Sequence, residues 1–326
     1  MGFVLEKTAQ SITIKERLDF SCAIFDKDGE LVANAPHMPV HLGSMDSTVK
    51  SIIKNNSTLS PGDIFAINAP YNGGTHLPDI TIVNPIWNSE KSEIIFYTAA
   101  RGHHTDIGGL TPGSMPCNST DIHEEGIYID NWKIVSNGVF REQEIKNKLL
   151  SGSYPARSPL TNIADLKAQI AACKKGETEL LKIVDKYGLE TVFRFQELVC
   201  QNAENAVRDS IKTIKSTEII YQMDNDLSGA VRKIKIKLIP NKKNSSIEVD
   251  FNGTTMQLES NYNAPLPVTR AAVLYAFRIL TGGNIPMNSG IMKPIKIKIP
   301  RASMLSPEYP AAVIAGNVET SQAVTS

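Results

Sequence analysis

The chain has 326 residues, enough to bury a large core and to form roughly two or three domains. Hydrophobic residues make up 41% of it, and 34 basic side chains balance 34 acidic ones. This composition excludes a disordered chain, and it provides no overall electrostatic field for nucleic acid or an anionic membrane. We therefore expect a folded protein that has neither nucleic acid nor a membrane as a partner.

The cysteines and histidines are distributed unevenly. Four cysteines are scattered without a CxxC pair, the chain has no secretory signal, and no apolar run reaches membrane-spanning length. This pattern indicates the reducing cytoplasm rather than a disulfide scaffold. All six histidines precede residue 124, and the last 203 residues contain none; they are His37, His41, His76, His103, His104 and His123.

In chain order, the first predicted element is a hairpin over Asp19–Asn34. Two apolar runs flank residues 26–29, whose Asp-Gly ending is a strong hairpin-turn signal. The open end of this hairpin carries Asp19 on one side and His37 and His41 on the other. The prolines at 36 and 39 favour an extended segment there over a helical histidine pair. Each of these two histidines either lines a pocket or is a packed or surface residue.

A helix and a short strand are predicted next. Residues 44–55 show an inward apolar face behind Ser44, which is a candidate N-cap. Residues 63–68 are typical of a buried strand. This strand leads to Gly73 and Gly74, which allow the backbone to bend sharply before His76.

A second hairpin follows this bend. The runs 80–87 and 93–101 are rich in β-branched and aromatic residues, and the polar segment 88–92 is short enough to be their loop. Antiparallel pairing about this loop places residues 76–79 opposite residues 101–104. Two imidazoles and a carboxylate would then converge at the open end of the hairpin.

This convergence predicts a metal site built on His76 and Asp79. Pro78 excludes a helical pair, so the two residues form a turn pair. Imidazole and carboxylate ligands together suit Zn, Mn or Fe(II). Adjacent strand residues point to opposite faces, so only one of His103 and His104 shares the site easily. The other, with Asp106, either orients the first or lies in the following turn.

The alternative interpretation is purely structural. In it, His76 and Asp79 cap a strand and hydrogen-bond to neighbouring backbone, without a metal. Hairpin pairing predicts that these side chains converge but not how far apart they lie. The sequence pattern alone therefore leaves this structural alternative open.

Beyond about residue 150 the sequence pattern changes from strands to long helices and then back to strands. Helical spacing over 162–187 and from Glu190 to about Lys215 indicates a long antiparallel helical hairpin, and alternation of apolar and polar residues returns beyond it. We expect an α+β fold of mixed and antiparallel sheets built from hairpins. The predicted regions are 1–150, which holds the metal site, 151–216, the helical hairpin, and 217–326, a β-rich region that continues beyond Ser326.

Nucleotide and serine-hydrolase motifs are absent from the sequence. The chain has neither a Gly-rich loop ending in Lys-Ser/Thr nor a GxGxxG that opens a helix after a strand, so we expect no ATP site on it. A GxSxG nucleophile elbow is also missing.

Several long motifs resemble the hydantoinase B/oxoprolinase family. They are ERLDFSCAIFDKDGELVANAPHMPVHLGSM (16–45), GGTHLPDITIVNPI (73–86), ARGHHTDIGG (100–109), VDFNGTT (249–255) and AAVIAGNVETSQAV (311–324). The resemblance implies a subunit or domain of an ATP-dependent cyclic amide hydrolase, such as 5-oxoprolinase or N-methylhydantoinase. The same family includes a subunit of acetone and acetophenone carboxylases. Its members have further segments before and after the matching region, so we expect the natural polypeptide to continue at both ends.

The resemblance also implies roles and partners. A hydantoinase A-type subunit or domain would bind ATP and phosphorylate the substrate, and the B component would hold a divalent metal, Zn or Mn. The implied ligands are Asp19, His76, Asp79 and His103, which favours His103 over His104.

The predicted function is therefore metal-assisted hydrolysis of a small cyclic amide within a hetero-oligomer, with His104 or Asp106 as a proton relay. Two rivals stay open. One is a carboxylase subunit, in which the metal positions an enol phosphate. The other is a non-catalytic structural subunit.

Overall fold

The computed structural model describes residues 1–35, 37–224, 229, 231–282 and 285–326. Its helices are α1 (Gly2–Thr8), α2 (Ile12–Lys15), α3 (Pro39–Leu42), α4 (Met45–Asn55), α5 (Glu142–Leu149), α6 (Pro159–Tyr187), α7 (Leu189–Ile211), α8 (Leu266–Thr281) and α9 (Ser321–Thr325). Its strands are β1 (Phe20–Asp26), β2 (Leu31–Asn34), β3 (Ile64–Ile67), β4 (Asp79–Trp87), β5 (Ile94–His103), β6 (Trp132–Ser136), β7 (Val139–Phe140), β8 (Thr217–Met223), β9 (Arg232–Asn241), β10 (Ser246–Asp250) and β11 (Ile295–Lys298).

Within these ranges the strands form two sheets, which confirms the predicted α+β fold. The first sheet has the order β2-β1-β5-β4-β3-β6-β7, and all its pairs are antiparallel. Both predicted hairpins, β1–β2 and β4–β5, are present in it. The second sheet has the order β11-β10-β9-β8, and its β10–β11 pair is parallel. The sheets are therefore both antiparallel and mixed, as predicted.

The two central strands of the first sheet, β4 and β5, are covered on both faces. Ile82 and Ala100 pack in one core cluster with Leu166 of α6. Their neighbours Val83 and Ala99 point the other way and pack against α4. Burial on both faces explains why these strands have continuous apolar runs rather than alternation.

The helical hairpin joins the two cores. The α6 helix packs on the first sheet, whereas α7 contributes Ala203 and Val207 to the core of the second sheet, together with α8. The division into three regions stays a prediction. Among the described residues, no helix is both long and apolar enough to cross a bilayer.

Candidate metal centre

Three of the predicted metal ligands come together at the open end of the β4–β5 hairpin. Asp79 starts β4 and is paired in register with His103, the last residue of β5. His76 approaches from the bend before β4. One ligand atom from each side chain lies within 4.8 Å of the others. The convergence expected from hairpin pairing is therefore confirmed for these three residues, which we call the triad.

The bend that delivers His76 requires glycine at two positions. Gly73 has a φ of 101°, and a Cβ there would lie 2.6 Å from the carbonyl carbon of Ser47. A Cβ on Gly74 would lie 2.3 Å from the carbonyl oxygen of Asn68. Both approaches are too close for any side chain, so the predicted role of these glycines is confirmed.

Asp79 is at the centre of the hydrogen-bonding network of the site. Its Oδ2 accepts a hydrogen bond from Thr75 Oγ1 at 2.8 Å and lies 3.0 Å from His41 Nε2 and 3.1 Å from His76 Nδ1. Its Oδ1 lies 3.1 Å from His103 Nδ1. The carboxylate is 1% exposed, so these contacts replace water and fix its orientation.

Electrostatics keeps this carboxylate ionised. Burial alone would raise the pKa of Asp79, but the imidazoles of His76 and His41 and the hydrogen bond from His103 hold it well below its ordinary value. Burial lowers the pKa of His76. Burial also acts to lower the pKa of His103, but its hydrogen bond and attraction to Asp79 outweigh this and raise it. At neutral pH the site offers an ionised carboxylate and a neutral His76.

His41 is a site residue that the sequence left undecided. It lies on α3, a short helical turn that begins at Pro39, where the sequence favoured an extended segment; residue 36 lies outside the described ranges. Its Nδ1 is 3.0 Å from Ser21 Oγ, and its Nε2 contacts Asp79. This Ser-His-Asp connectivity resembles a hydrolytic triad. Ser21 is fully buried and cannot reach a substrate, so the chain of contacts orients the carboxylate instead.

Asp19 lies beside the triad but its carboxylate is not part of it. Its carbonyl oxygen accepts a hydrogen bond from the backbone N–H of His103 at 3.0 Å, which places the residue at the edge of the site. Among the described residues, the cluster of potential ligand atoms contains only His76, Asp79 and His103. The assignment of Asp19 as a fourth ligand stays a prediction.

His104 lies on the opposite face of the sheet, as strand alternation predicts. Its Nδ1 is 3.2 Å from Asn162 Nδ2, and its Nε2 is 3.1 Å from Gln169 Oε1, both on α6. An amide Nδ2 only donates, so His104 accepts at Nδ1 and donates from Nε2. Both ring nitrogens are thus occupied on the face away from Asp79.

Asp106 organises a loop. Its carboxylate accepts hydrogen bonds from the backbone N–H groups of Gly108 and Gly113 at 2.9 Å and pairs with Arg157 Nη1 at 2.9 Å. These contacts support a structural role. The structure brings neither His104 nor Asp106 to the triad, and their proton-relay role stays a prediction.

The triad fits a divalent metal by its donor chemistry. Two imidazoles and one carboxylate form the mixed N and O set that Zn and Mn accept. His76 and Asp79 are buried and His103 is partly buried, and Asp79 is already ionised without a Lys or Arg partner at its oxygens among the described residues. Such a site can bind a cation without first breaking an ion pair to Lys or Arg.

Comparison with known proteins places this chain in a family. Residues 1–326 match the model of the hydantoinase B/oxoprolinase family. 5-oxoprolinase 1 of Arabidopsis thaliana is 43% identical over 350 residues, which cover 100% of this chain and 27% of that protein. The curated relatives with this level of identity are long, and the chain spans about a quarter of their length.

Two solved structures share the fold. The ATP-dependent caprolactamase from Pseudomonas jessenii has a TM-score of 0.86 at 21% identity, covering 99% of this chain and 55% of that one. Nucleotide-free acetone carboxylase has a TM-score of 0.83 at 18% identity, covering 97% of this chain and 43% of that one. At these identities the two structures support a common fold, and the family match extends over the whole sequence. The chain therefore belongs to the hydantoinase B/oxoprolinase family.

Proposed function

We propose that this chain is the B component of an ATP-dependent cyclic amide hydrolase of the 5-oxoprolinase or hydantoinase type. The substrate class would be a small five-membered cyclic amide such as 5-oxoproline or a hydantoin. Relatives named 5-oxoprolinase, at about 43% identity over the full chain, favour this class. The observation that carries the proposal is the triad of buried His76, buried Asp79 and partly exposed His103, which offers metal-assisted chemistry at one end of the β4–β5 hairpin.

In this proposal the triad holds a divalent ion, Zn or Mn, and Asp19 supplies a fourth ligand. A bound divalent metal lowers the pKa of water and polarises a substrate oxygen, effects worth several kcal/mol. Support for Asp19 comes from its backbone hydrogen bond to His103 and from the effect of its charge, which favours the protonated form of that imidazole.

The protein's own residues fix the reacting geometry. Asp79 is held by four side-chain contacts and cannot rotate freely. The side chain of His103 is 17% exposed, whereas those of His76 and Asp79 are 4% and 1% exposed. Solvent therefore reaches the triad at His103, and we place the substrate on that side.

The ATP-dependent step would belong to a partner. The sequence lacks a phosphate-binding loop, and we propose that a hydantoinase A-type subunit or domain binds ATP and phosphorylates the substrate. The Pseudomonas jessenii enzyme is described as an ATP-dependent caprolactamase, which supports ATP-driven opening of a cyclic amide in a protein with this fold. The assembled enzyme would be a hetero-oligomer or a fused chain.

The test assays the chain together with its A-type partner. We expect ATP-dependent ring opening of 5-oxoproline or a hydantoin, stoichiometric Zn or Mn, and loss of both metal and activity in Asp79→Asn. His37→Gln is the matched control, because His37 contacts the backbone N–H of Cys22 rather than the triad. ATP-dependent bicarbonate fixation without ring opening would establish a carboxylase subunit instead. Full activity without metal, unaffected by Asp79→Asn, would establish a structural subunit.

A further inference from the structure

A fully buried guanidinium lies next to the candidate metal centre. Arg101 is on β5 two residues before His103 and therefore on the same face of the strand. Its partners are neutral oxygens, and within the described ranges no carboxylate lies within 4.0 Å of it. A buried cation is costly to a fold unless hydrogen bonds compensate it, so its contacts indicate its role.

One part of the guanidinium holds the segment that leads to His76. Nη2 of Arg101 donates to Thr48 Oγ1 at 2.8 Å and to the Gly73 carbonyl at 3.4 Å. Thr48 donates in turn to the same carbonyl at 2.5 Å. The Gly73 carbonyl is thus clamped to α4 and β5, three residues before His76.

A second part holds the turn that carries His41. Nη1 of Arg101 donates to Ser44 Oγ at 2.5 Å. That hydroxyl lies 3.0 Å from the Val40 carbonyl and 3.2 Å from the His41 carbonyl, to which it can donate. Ser44 occupies the N-cap position of α4, as predicted, but makes no capping hydrogen bond. Its hydroxyl instead links Arg101 to the α3 turn.

The third contact joins the guanidinium to β4, the other strand of the hairpin that carries Arg101. Its Nε donates to Thr81 Oγ1 at 2.7 Å, and Thr81 is its register partner on β4, two residues after Asp79. One rigid guanidinium therefore connects β5 to β4, to α4, to the loop that leads to His76 and, through Ser44, to the α3 turn that carries His41. A lysine has no planar fork and cannot reproduce this set of directions.

We propose that Arg101 is a positioning residue for the candidate metal centre, fixing the main chain that carries His76 and His41 relative to Asp79 and His103. This inference rests on the proposed metal centre. The sign of the charge supports a geometric role, because a cation next to a metal site opposes the binding of a second cation. If charge were its only effect, removing it would strengthen metal binding; if it positions the ligands, removal weakens binding.

The experiment measures Zn(II) affinity by chelator competition, and the visible spectrum of the Co(II)-substituted full chain reports ligand geometry. We expect Arg101→Lys, which keeps the charge, to weaken Zn(II) binding 10- to 100-fold and to alter the Co(II) bands. Arg101→Met should weaken it at least as much. Arg141→Lys, at a surface arginine paired with Glu144, is the control and should match the wild type in both measurements.

Two milder variants keep the test decisive if Arg101 variants fail to fold. Thr48→Val and Ser44→Ala each remove one acceptor of the guanidinium, and each should weaken Zn(II) binding several-fold with an unchanged circular dichroism spectrum. Wild-type Zn(II) affinity and Co(II) bands in the folded variants, or tighter binding in Arg101→Met, would overturn the inference. If wild-type protein binds neither ion, the proposed metal centre itself is wrong and this inference falls with it.

Discussion

His41 Nε2 and Asp79 Oδ2 lie 3.0 Å apart, and both side chains are 1% exposed. Thirty-eight positions separate the two residues in the sequence. The contact ties the carboxylate of the triad to α3, outside the hairpin that carries it. The orientation of Asp79 therefore depends on the packing of α3 as well as on strand pairing.

Substitutions of His41 can therefore test whether this contact orients the Asp79 carboxylate for metal binding. We expect His41→Leu to weaken Zn(II) binding 10- to 100-fold, because Asp79 loses a donor that fixes its Oδ2. His41→Gln should recover part of the affinity, since its amide can donate from a similar position. Chelator competition measures both values. His37→Leu is the control, and an unchanged affinity in folded His41→Leu would show that Asp79 needs no support from α3.

The pH dependence of metal binding should follow the protonation of the two triad histidines, His103 and His76. A ligand imidazole must be neutral, and the attraction to Asp79 raises the pKa of His103. As the pH falls through this raised pKa, a proton competes for the ring and Zn(II) affinity declines. Burial lowers the pKa of His76, so a proton competes with the metal for the His76 ring only at more acidic pH. Affinity that stays flat from about pH 8 to about pH 5.5, measured by chelator competition, would contradict His103 as a ligand.

The sequence predicts which residues of the β4–β5 hairpin converge. It does not predict the side chains from other elements that hold them in place. The loop at 88–92 set the pairing of Asp79 with His103, and strand alternation separated His103 from His104. These are short-range rules, with fixed periods and turn lengths. The partners of Asp79 and Arg101 on α3 and α4 come from tertiary packing, which no local pattern specifies.

The difference between local pattern and tertiary packing also explains why the sequence does not predict the roles of Arg101 and Ser44. Arg101 ends an apolar run, where an arginine is typical of a strand leaving the core. It is nevertheless fully buried, because the hydroxyls of Ser44, Thr48 and Thr81 accept its hydrogen bonds. Ser44 matched the pattern of a helix cap, but its hydroxyl is used by that arginine. A single cation at the end of an apolar run, next to the histidines, is the only signal of this role in the sequence.

The position of His104 predicts a structural effect of its substitution. His104→Leu removes the His104 hydrogen bond of Gln169 Oε1 and one of the two hydrogen bonds of Asn162 Nδ2, which should cost about 1 to 3 kcal/mol of unfolding free energy. Zn(II) affinity should be unchanged, because the ring faces α6. Urea unfolding and chelator competition measure the two effects. Turnover that falls more than about 100-fold with fold and metal intact would instead support the relay role inferred from the sequence.

A buried carboxylate elsewhere should make stability depend on pH. Glu125 is fully buried and accepts hydrogen bonds from the backbone N–H groups of Val313 and Ile314 and from Ser119 Oγ. Burial outweighs these bonds and raises the pKa of Glu125 from 4.5 to about 7. Since the folded state holds this proton more tightly, the group's contribution to stability is complete below about pH 4.5 and is lost as the pH rises through about 7.

Replacing this carboxyl with an amide should remove that dependence. Each pKa unit corresponds to about 1.4 kcal/mol, so wild type should lose about 3 kcal/mol between about pH 4.5 and about pH 8 through this group alone. Glu125→Gln can still accept the two backbone bonds but does not ionise. Guanidinium unfolding should therefore show Glu125→Gln gaining stability relative to wild type as the pH rises. Glu90→Gln, on the exposed β4–β5 loop, should show no such gain. A difference between Glu125→Gln and wild type that does not vary with pH would mean that Glu125 stays ionised in the fold, held by its three donors.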